Sequence, residues 1–272
     1  MTSTSGSSRL LQPVETAALV AHGRVDVHEA EERVQAVAES TGVRLVDDPA
    51  EAQLAVALGG DGTILRSLAR LLGSATPVIG VNFGRVGFLA SIEPDGLERD
   101  LGRVFAGEYV VIELPTLEAH LDGNEFVAVN DVVATSATLG RMVELEWAVN
   151  GEELGVVPCD GMICSTPSGS TAYNLSNGGP VLSRALDAMA VTFIAPHSLH
   201  ARPLVLPRGA ELAVRNATPD VEAAVLVDGH RVAEIPPEGE LAIKLGPDRS
   251  LLATLPETTF FGRYRETFTS HP

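Results

Sequence analysis

Residues Leu54-Ala55-Val56-Ala57-Leu58 are apolar without interruption, and the run stops at Gly59-Gly60-Asp61-Gly62-Thr63. A run with no polar alternation predicts a strand buried on both faces, as in a parallel sheet. Beyond the turn, residues 64–72 repeat at helical spacing, with Arg66 and Arg70 on the positions that Leu65, Leu68 and Leu72 leave free. Upstream, residues 17–21 predict a short strand, 26–41 a charged amphipathic helix and 43–46 another strand. Residues 78–81 complete a β-α-β-α-β order, which implies a parallel, doubly wound sheet with helices on both faces. Ligands of such sheets sit beyond the carboxyl ends of the strands, where the glycine turn lies. A second glycine-bearing loop, Asn82-Phe83-Gly84-Arg85-Val86-Gly87-Phe88-Leu89, follows the strand at 78–81 and is expected beside the first.

The pattern changes after Gly107. Segments 109–112, 117–121, 126–129, 143–149 and 162–165 are short and rich in β-formers, with turn residues between them, and helical spacing becomes scarce. They predict a second, β-rich domain with a sandwich-like architecture. The expected organisation is therefore a disordered Ser/Thr-rich tail over 1–12, an α/β domain over 13–107 and a β-rich, nucleotide-binding domain over 108–272. The last 20 or so residues carry three phenylalanines and a tyrosine, so they are expected to dock, packing back on the first domain.

Composition narrows the function classes. With 272 residues, 45% of them hydrophobic, the chain can bury two cores. A formal charge of −17 argues against nucleic acid and anionic membranes as partners, because both demand clustered basic residues. No apolar run is long enough to span a bilayer, and residues 1–12 lack the hydrophobic region of a signal peptide. Two cysteines, Cys159 and Cys164, cannot build a disulfide framework and lack the companions of a structural zinc site. A cytoplasmic location is expected, and no metal held by protein ligands alone.

The glycine turn carries the first candidate chemistry. Glycines let backbone N–H groups approach a phosphate, and a helix start offers more of them. Asp61 is an anion where anions would bind, which suits Mg²⁺ handling or proton removal from an attacking hydroxyl. The plainer alternative is a tight strand-to-helix turn in which Asp61 caps the helix. There is no P-loop motif, and the only lysine is Lys244, so any phosphoryl transfer must proceed without a P-loop lysine. Asn130-Asp131, after the apolar segment 126–129, pairs an amide with a carboxylate at a strand end, able to read an adenine edge and a sugar hydroxyl or to form an ordinary turn. In the segment 165–173, small hydroxyl residues leave room for a flat nucleotide, and Tyr173 offers a stacking face.

These motifs resemble the NAD kinase (ATP-NAD kinase) family. The likeness rests on Gly59-Gly60-Asp61-Gly62-Thr63, on Gly80 through Leu89, on Asn130-Asp131 and on Cys159-Asp160-Gly161. It continues through Ser165-Thr166-Pro167-Ser168-Gly169-Ser170-Thr171-Ala172-Tyr173, Gly178-Gly179-Pro180, Pro196-His197-Ser198-Leu199 and Arg202-Pro203-Leu204. The resemblance implies transfer of the ATP γ-phosphoryl group to the 2′-hydroxyl of the adenosine ribose of NAD, with Mg²⁺. It implies Asp61 as general base and Gly60, Gly62, Thr63 and Arg66 at the phosphates or substrate. Asn130, Asp131, Arg141, Asp160, Thr171, Ala172, Tyr173, Ser176 and His230 would complete the nucleotide contacts, in a homodimer or homotetramer. Asp131 stands where the family usually has glutamate, and His230 where it often has glutamine. Arg85 is a candidate ligand contact or loop donor, Arg24 a candidate for the ATP phosphates, and His197 is read as structural. A lipid or sugar kinase sharing the aspartate turn, or a non-catalytic dinucleotide-binding regulator, is the alternative function.

Overall fold

The structure is a computed structural model, and it describes residues 12–21, 28–83 and 87–269. Arg24, Arg85 and the tail up to residue 11 lie outside the described residues. The chain forms two compact units, one holding the residues up to Glu113 together with those from Ser250 on, the other Leu114–Arg249.

In the first unit, strands β1 (Thr16–Ala21), β2 (Arg44–Leu45), β3 (Leu54–Leu58) and β4 (Val78–Val81) pair in parallel in the order β2-β1-β3-β4. Helix α1 (His28–Thr41) buries Ala30, Val34, Val37 and Ala38, and α3 (Leu97–Phe105) buries Leu97, Leu101, Val104 and Phe105. Both stripes have the i, i+4, i+7, i+8 spacing of one helix face. They join Leu54, Val56, Leu58, Ile79 and Val81 in one core. Helix α2 (Asp61–Arg70), between β3 and β4 in sequence, lies on the other face: Ile64 packs over Gly80, where a Cβ would strike its side chain. The sheet is therefore doubly wound. Alternate residues of β3 serve different helices, so every position in it must be apolar. Helix α3 was not evident from the sequence.

The second unit is antiparallel. Its strands are β5 (Val110–Leu121), β6 (Asn124–Ala128), β7 (Asp131–Ser136), β8 (Val143–Val149), β9 (Glu152–Cys159), β10 (Gly161–Ser165), β11 (Ala188–Ile194), β12 (Leu204–Pro207), β13 (Glu211–Asn216), β14 (Ala223–Val227), β15 (His230–Ile235) and β16 (Glu240–Thr254). One sheet runs β12-β11-β10-β7-β14-β15, and β16-β13-β8-β9 belong to the other. Between them lies a single core that includes Val132, Leu145, Met162, Val191, Leu212, Val225 and Leu241, with Trp147 edge-on to Phe193 at 5.4 Å. This is the sandwich geometry, in which alternate residues of each strand face inward. The expected segments 109–112 and 117–121 fall, from Val110 on, in one strand, β5, which carries Pro115 inside it. The chain returns to the first unit through the end of β16, where Leu252 stands opposite Val78 and Ala253 opposite Ile79. Helix α5 (Phe260–Phe268) follows it. No described helix is long and apolar enough to cross a membrane.

One buried amide fixes the loop that follows β10. Asn174, in the single helical turn α4 (Tyr173–Ser176), is fully buried; it donates to the Ser170 and Pro180 carbonyls at 3.0 Å each and accepts from the Thr192 hydroxyl at 2.7 Å. Asn174→Ala would strand those three groups, and each buried unsatisfied group costs about 1–3 kcal/mol. Urea unfolding should register a loss of about 2–4 kcal/mol. A loss below about 1 kcal/mol would mean that the loop keeps its shape without the amide.

Candidate active site

Each unit holds its own set of candidate residues. In the first unit, β3 ends at Leu58 and α2 begins at Asp61, with Gly60 as the residue before the helix and no side-chain cap. The Asp61 carboxylate is thus not spent on capping. Its two oxygens instead accept the backbone N–H groups of Phe88, at 2.8 Å, and Leu89, at 3.1 Å. The second glycine-bearing loop therefore does lie against the first. A Cβ at Gly87 would land on the Asp61 carboxylate, so only glycine permits this approach. An ionised carboxylate has about four acceptor sites, so two N–H donors orient Asp61 and leave it able to take a proton.

Arg66, one helical turn on, is exposed; its guanidinium curls back to the Thr63 hydroxyl at 3.4 Å and lies 4.0 Å from where a Cβ of Gly62 would stand. Gly60, Gly62, Thr63 and Arg66 are thus gathered at the start of α2, where first-turn N–H groups lack helical partners. Lys244 is elsewhere, paired with Glu118 at 3.0 Å.

In the second unit, a turn built on Asn130-Asp131 dominates. Asp228 supplies its frame, accepting from the N–H groups of Val129 at 2.9 Å, Asn130 at 2.7 Å and Asp131 at 3.2 Å. Asp228 and Gly229, with φ of 48° and 80°, form the two-residue hairpin turn between β14 and β15, the geometry that Asp-Gly favours. His230 follows, exposed, its ring 3.1 Å from the Asp228 carbonyl. The hydroxyl-rich segment docks on the same turn. The Thr166 N–H donates to the Asn130 carbonyl at 2.8 Å and its hydroxyl to the Val129 carbonyl at 2.7 Å. A Cβ at Gly169 would strike the Asn130 carbonyl. Two buried polar atoms here, Asn130 Oδ1 and Ser168 Oγ, have no partner, as expected where a polar ligand is to be received. Tyr173 is 46% exposed, with its ring available for stacking, and Thr171, Ala172 and Ser176 flank it in the same loop and turn.

Arg141 and Asp160 are not part of this group. Asp131 pairs with Ser165 at one end of β10, whereas Asp160 precedes Gly161 at the other end, where its carbonyl accepts from Ser136 and Thr135. Four ladder steps separate the ends, about 13 Å. Arg141, exposed, faces Asp220 at 3.3 Å. Asp228 and Asn174 were missed at the sequence level. The only local signal for Asp228 was its Asp-Gly turn.

Comparison with known proteins identifies the family. The ATP-NAD kinase N-terminal domain matches residues 15–109 and the ATP-NAD kinase C-terminal domain residues 129–255. The chain belongs to the NAD kinase family. It is 38% identical over 242 residues to an NAD kinase of Gemmatimonas aurantiaca, covering 86% of this chain and 83% of that one. To an NAD kinase of Heliobacterium modesticaldum it is 39% identical over 239 residues, covering 86% and 84%. Among solved structures, an NAD kinase from Archaeoglobus fulgidus in complex with ATP superposes with a TM-score of 0.78 at 27% identity, over 92% of this chain and 98% of that one. Yeast NADH kinase complexed with NADH shares the fold, with a TM-score of 0.84 at 23% identity over 96% and 89%.

Burial tunes the charge of this kinase-family site. Burial, and secondarily the neighbouring Asp228 carboxylate, raise the Asp131 pKa to about 7. Asp228 is raised too, by burial, against the pull of its three N–H donors. An acid whose folded pKa exceeds its unfolded value binds more protons when folded. Its stabilising contribution is then full below the unfolded value, near 4, and is lost as pH rises through about 7. Asp131→Asn should accordingly gain stability relative to the parent between pH 4 and pH 8, by about 2–4 kcal/mol. Urea midpoints of both proteins across that range measure it. A pH-independent difference would mean that Asp131 is ionised throughout.

Proposed function

We propose that this chain transfers the γ-phosphoryl group of ATP to the 2′-hydroxyl of the adenosine ribose of NAD, yielding NADP and ADP. The observation that carries the reading is the Asp61 carboxylate, released from helix capping and fixed by the Phe88 and Leu89 N–H groups at the mouth of a glycine turn. A ribose hydroxyl is a weak nucleophile at neutral pH. Asp61 takes its proton as the oxygen attacks the γ-phosphorus, and the bond to the bridging oxygen breaks as ADP leaves.

The backbone of Gly60 to Thr63 and the Arg66 guanidinium hold phosphate oxygens. Asn130 reads the adenine edge, Asp131 accepts from a ribose hydroxyl, and Tyr173 stacks beside Thr171, Ala172 and Ser176, with His230 at the rim. Mg²⁺ fits this donor set as a nucleotide-borne ion. Among the described residues the one group close enough to ligate a cation is Glu118, His120 and Glu125, which does not include Asp61. Mg²⁺ keeps waters and binds phosphates with one or two carboxylates, and Asp61 offers one. When bound it would neutralise phosphate charge, which a chain of net charge −17 needs. Arg141 and Asp160 add further nucleotide contacts, and the protein works as a homodimer or homotetramer. The buried free thiols Cys159 and Cys164 support a cytoplasmic location.

Asp61→Asn keeps the shape of the side chain and removes its basicity. With NAD, ATP and Mg²⁺, NADP formation should fall by about 10²–10⁴ in kcat while NAD affinity by titration calorimetry is retained. A variant with near-parental kcat would remove Asp61 from the base role. No NADP from the parent protein would leave a dinucleotide-binding regulator.

A further inference from the structure

Helix α5 contributes no fully buried residue to the first unit, yet it bears four aromatic side chains. Their contacts converge on one place. Phe260 and Phe268 lie 6.3 and 5.7 Å, ring to ring, from Phe88, and Tyr264 meets Phe268 edge-on at 4.9 Å. Phe88 is the residue whose N–H donates to Asp61. Arg263, whose side chain is only 12% exposed, donates to the Ala90 carbonyl at 2.9 Å and reaches Glu93 at 3.5 Å. Glu93 in turn accepts from the Asn82 amide at 3.2 Å. One helix thus grips both ends of the second glycine-bearing loop, Asn82 through Glu93 on one side and Phe88 to Ala90 on the other.

We propose that α5 is a positioning brace for Asp61: its Phe260, Phe268 and Arg263 side chains fix the Phe88–Ala90 backbone that aims the carboxylate. The proposal rests on Asp61 as the general base. Two N–H donors can orient a carboxylate only as well as their own peptide planes are held. Gly87 directly precedes them and has no side chain to restrain its own peptide. Aromatic contacts to Phe88 and a charge-assisted bond to Ala90 hold those planes from outside. The contacts just described are made to Phe88, Ala90 and Glu93, so these side chains act on Asp61 through that backbone. Misplacement of a reacting group by about 1 Å can cost a hundredfold in rate.

The full-length chain provides the test. The pair Phe260→Ala with Phe268→Ala, and separately Arg263→Ala, should lower kcat for NADP formation about tenfold or more. KM for ATP and for NAD should stay within about twofold, because ligand contacts are untouched. Phe260→Tyr with Phe268→Tyr retains the rings and should keep kcat within about twofold of the parent. If the double alanine variant does not fold, Arg263→Ala decides alone. Folded variants with parental kcat, while Asp61→Asn is inactive, would overturn the brace and leave the base assignment standing. An increase in KM with unchanged kcat would overturn it as well. Full activity in Asp61→Asn would remove the base and the brace together.

Discussion

The Asp61 carboxylate and the two backbone N–H groups of Phe88 and Leu89 form the contact on which the first unit's candidate residues depend. It brings together the carboxyl ends of two adjacent parallel strands, β3 and β4, through the loops that follow each. A carboxylate at a helix start is ordinarily drawn into capping or into the first-turn N–H groups. Here donors from a different loop hold it, so its position is decoupled from the helix it begins. That arrangement needs an empty space at residue 87, which a glycine leaves and any other residue would fill.

The second unit solves a related problem with a half-buried acid. Asp228 gathers three consecutive N–H groups of the Val129–Asp131 turn, and its charge adds to the burial that raises the Asp131 pKa. The same carboxylate thus shapes the turn and reinforces the effect of burial on its neighbour. Such a site costs stability above pH 7, while Thr166 ties the following loop to the turn and Asn174 holds that loop's own shape.

What the sequence revealed, and what it hid, follow from range. Strand β3 was legible because burial on both faces makes all five positions apolar, and its glycine turn because close backbone approach demands a local composition. The nearness of the two glycine loops followed from parallel strand order. Helix α3 escaped notice: it is nine residues long, contains Gly102 and follows the turn signals Pro94-Asp95-Gly96. Pro115 made β5 look like two strands, although a strand tolerates a missing N–H where no partner needs it. The partners of Asp61 and Asp228 lie 27 and 99 residues away in sequence, and no local pattern encodes contacts of that span. An aspartate before a helix reads as a cap until the donors that claim it are seen.

Gly87→Ala addresses the Asp61 contact most directly, since it introduces a single methyl group where the carboxylate lies and changes no functional group. NADP formation by the purified variant should fall by at least about a hundredfold in kcat. NAD affinity, proposed to rest on the Asn130 turn and the Tyr173 loop, should remain within about twofold of the parent. A folded Gly87→Ala protein with parental kcat would contradict the proposal that the seating of Asp61 against the Phe88 and Leu89 backbone governs the chemistry.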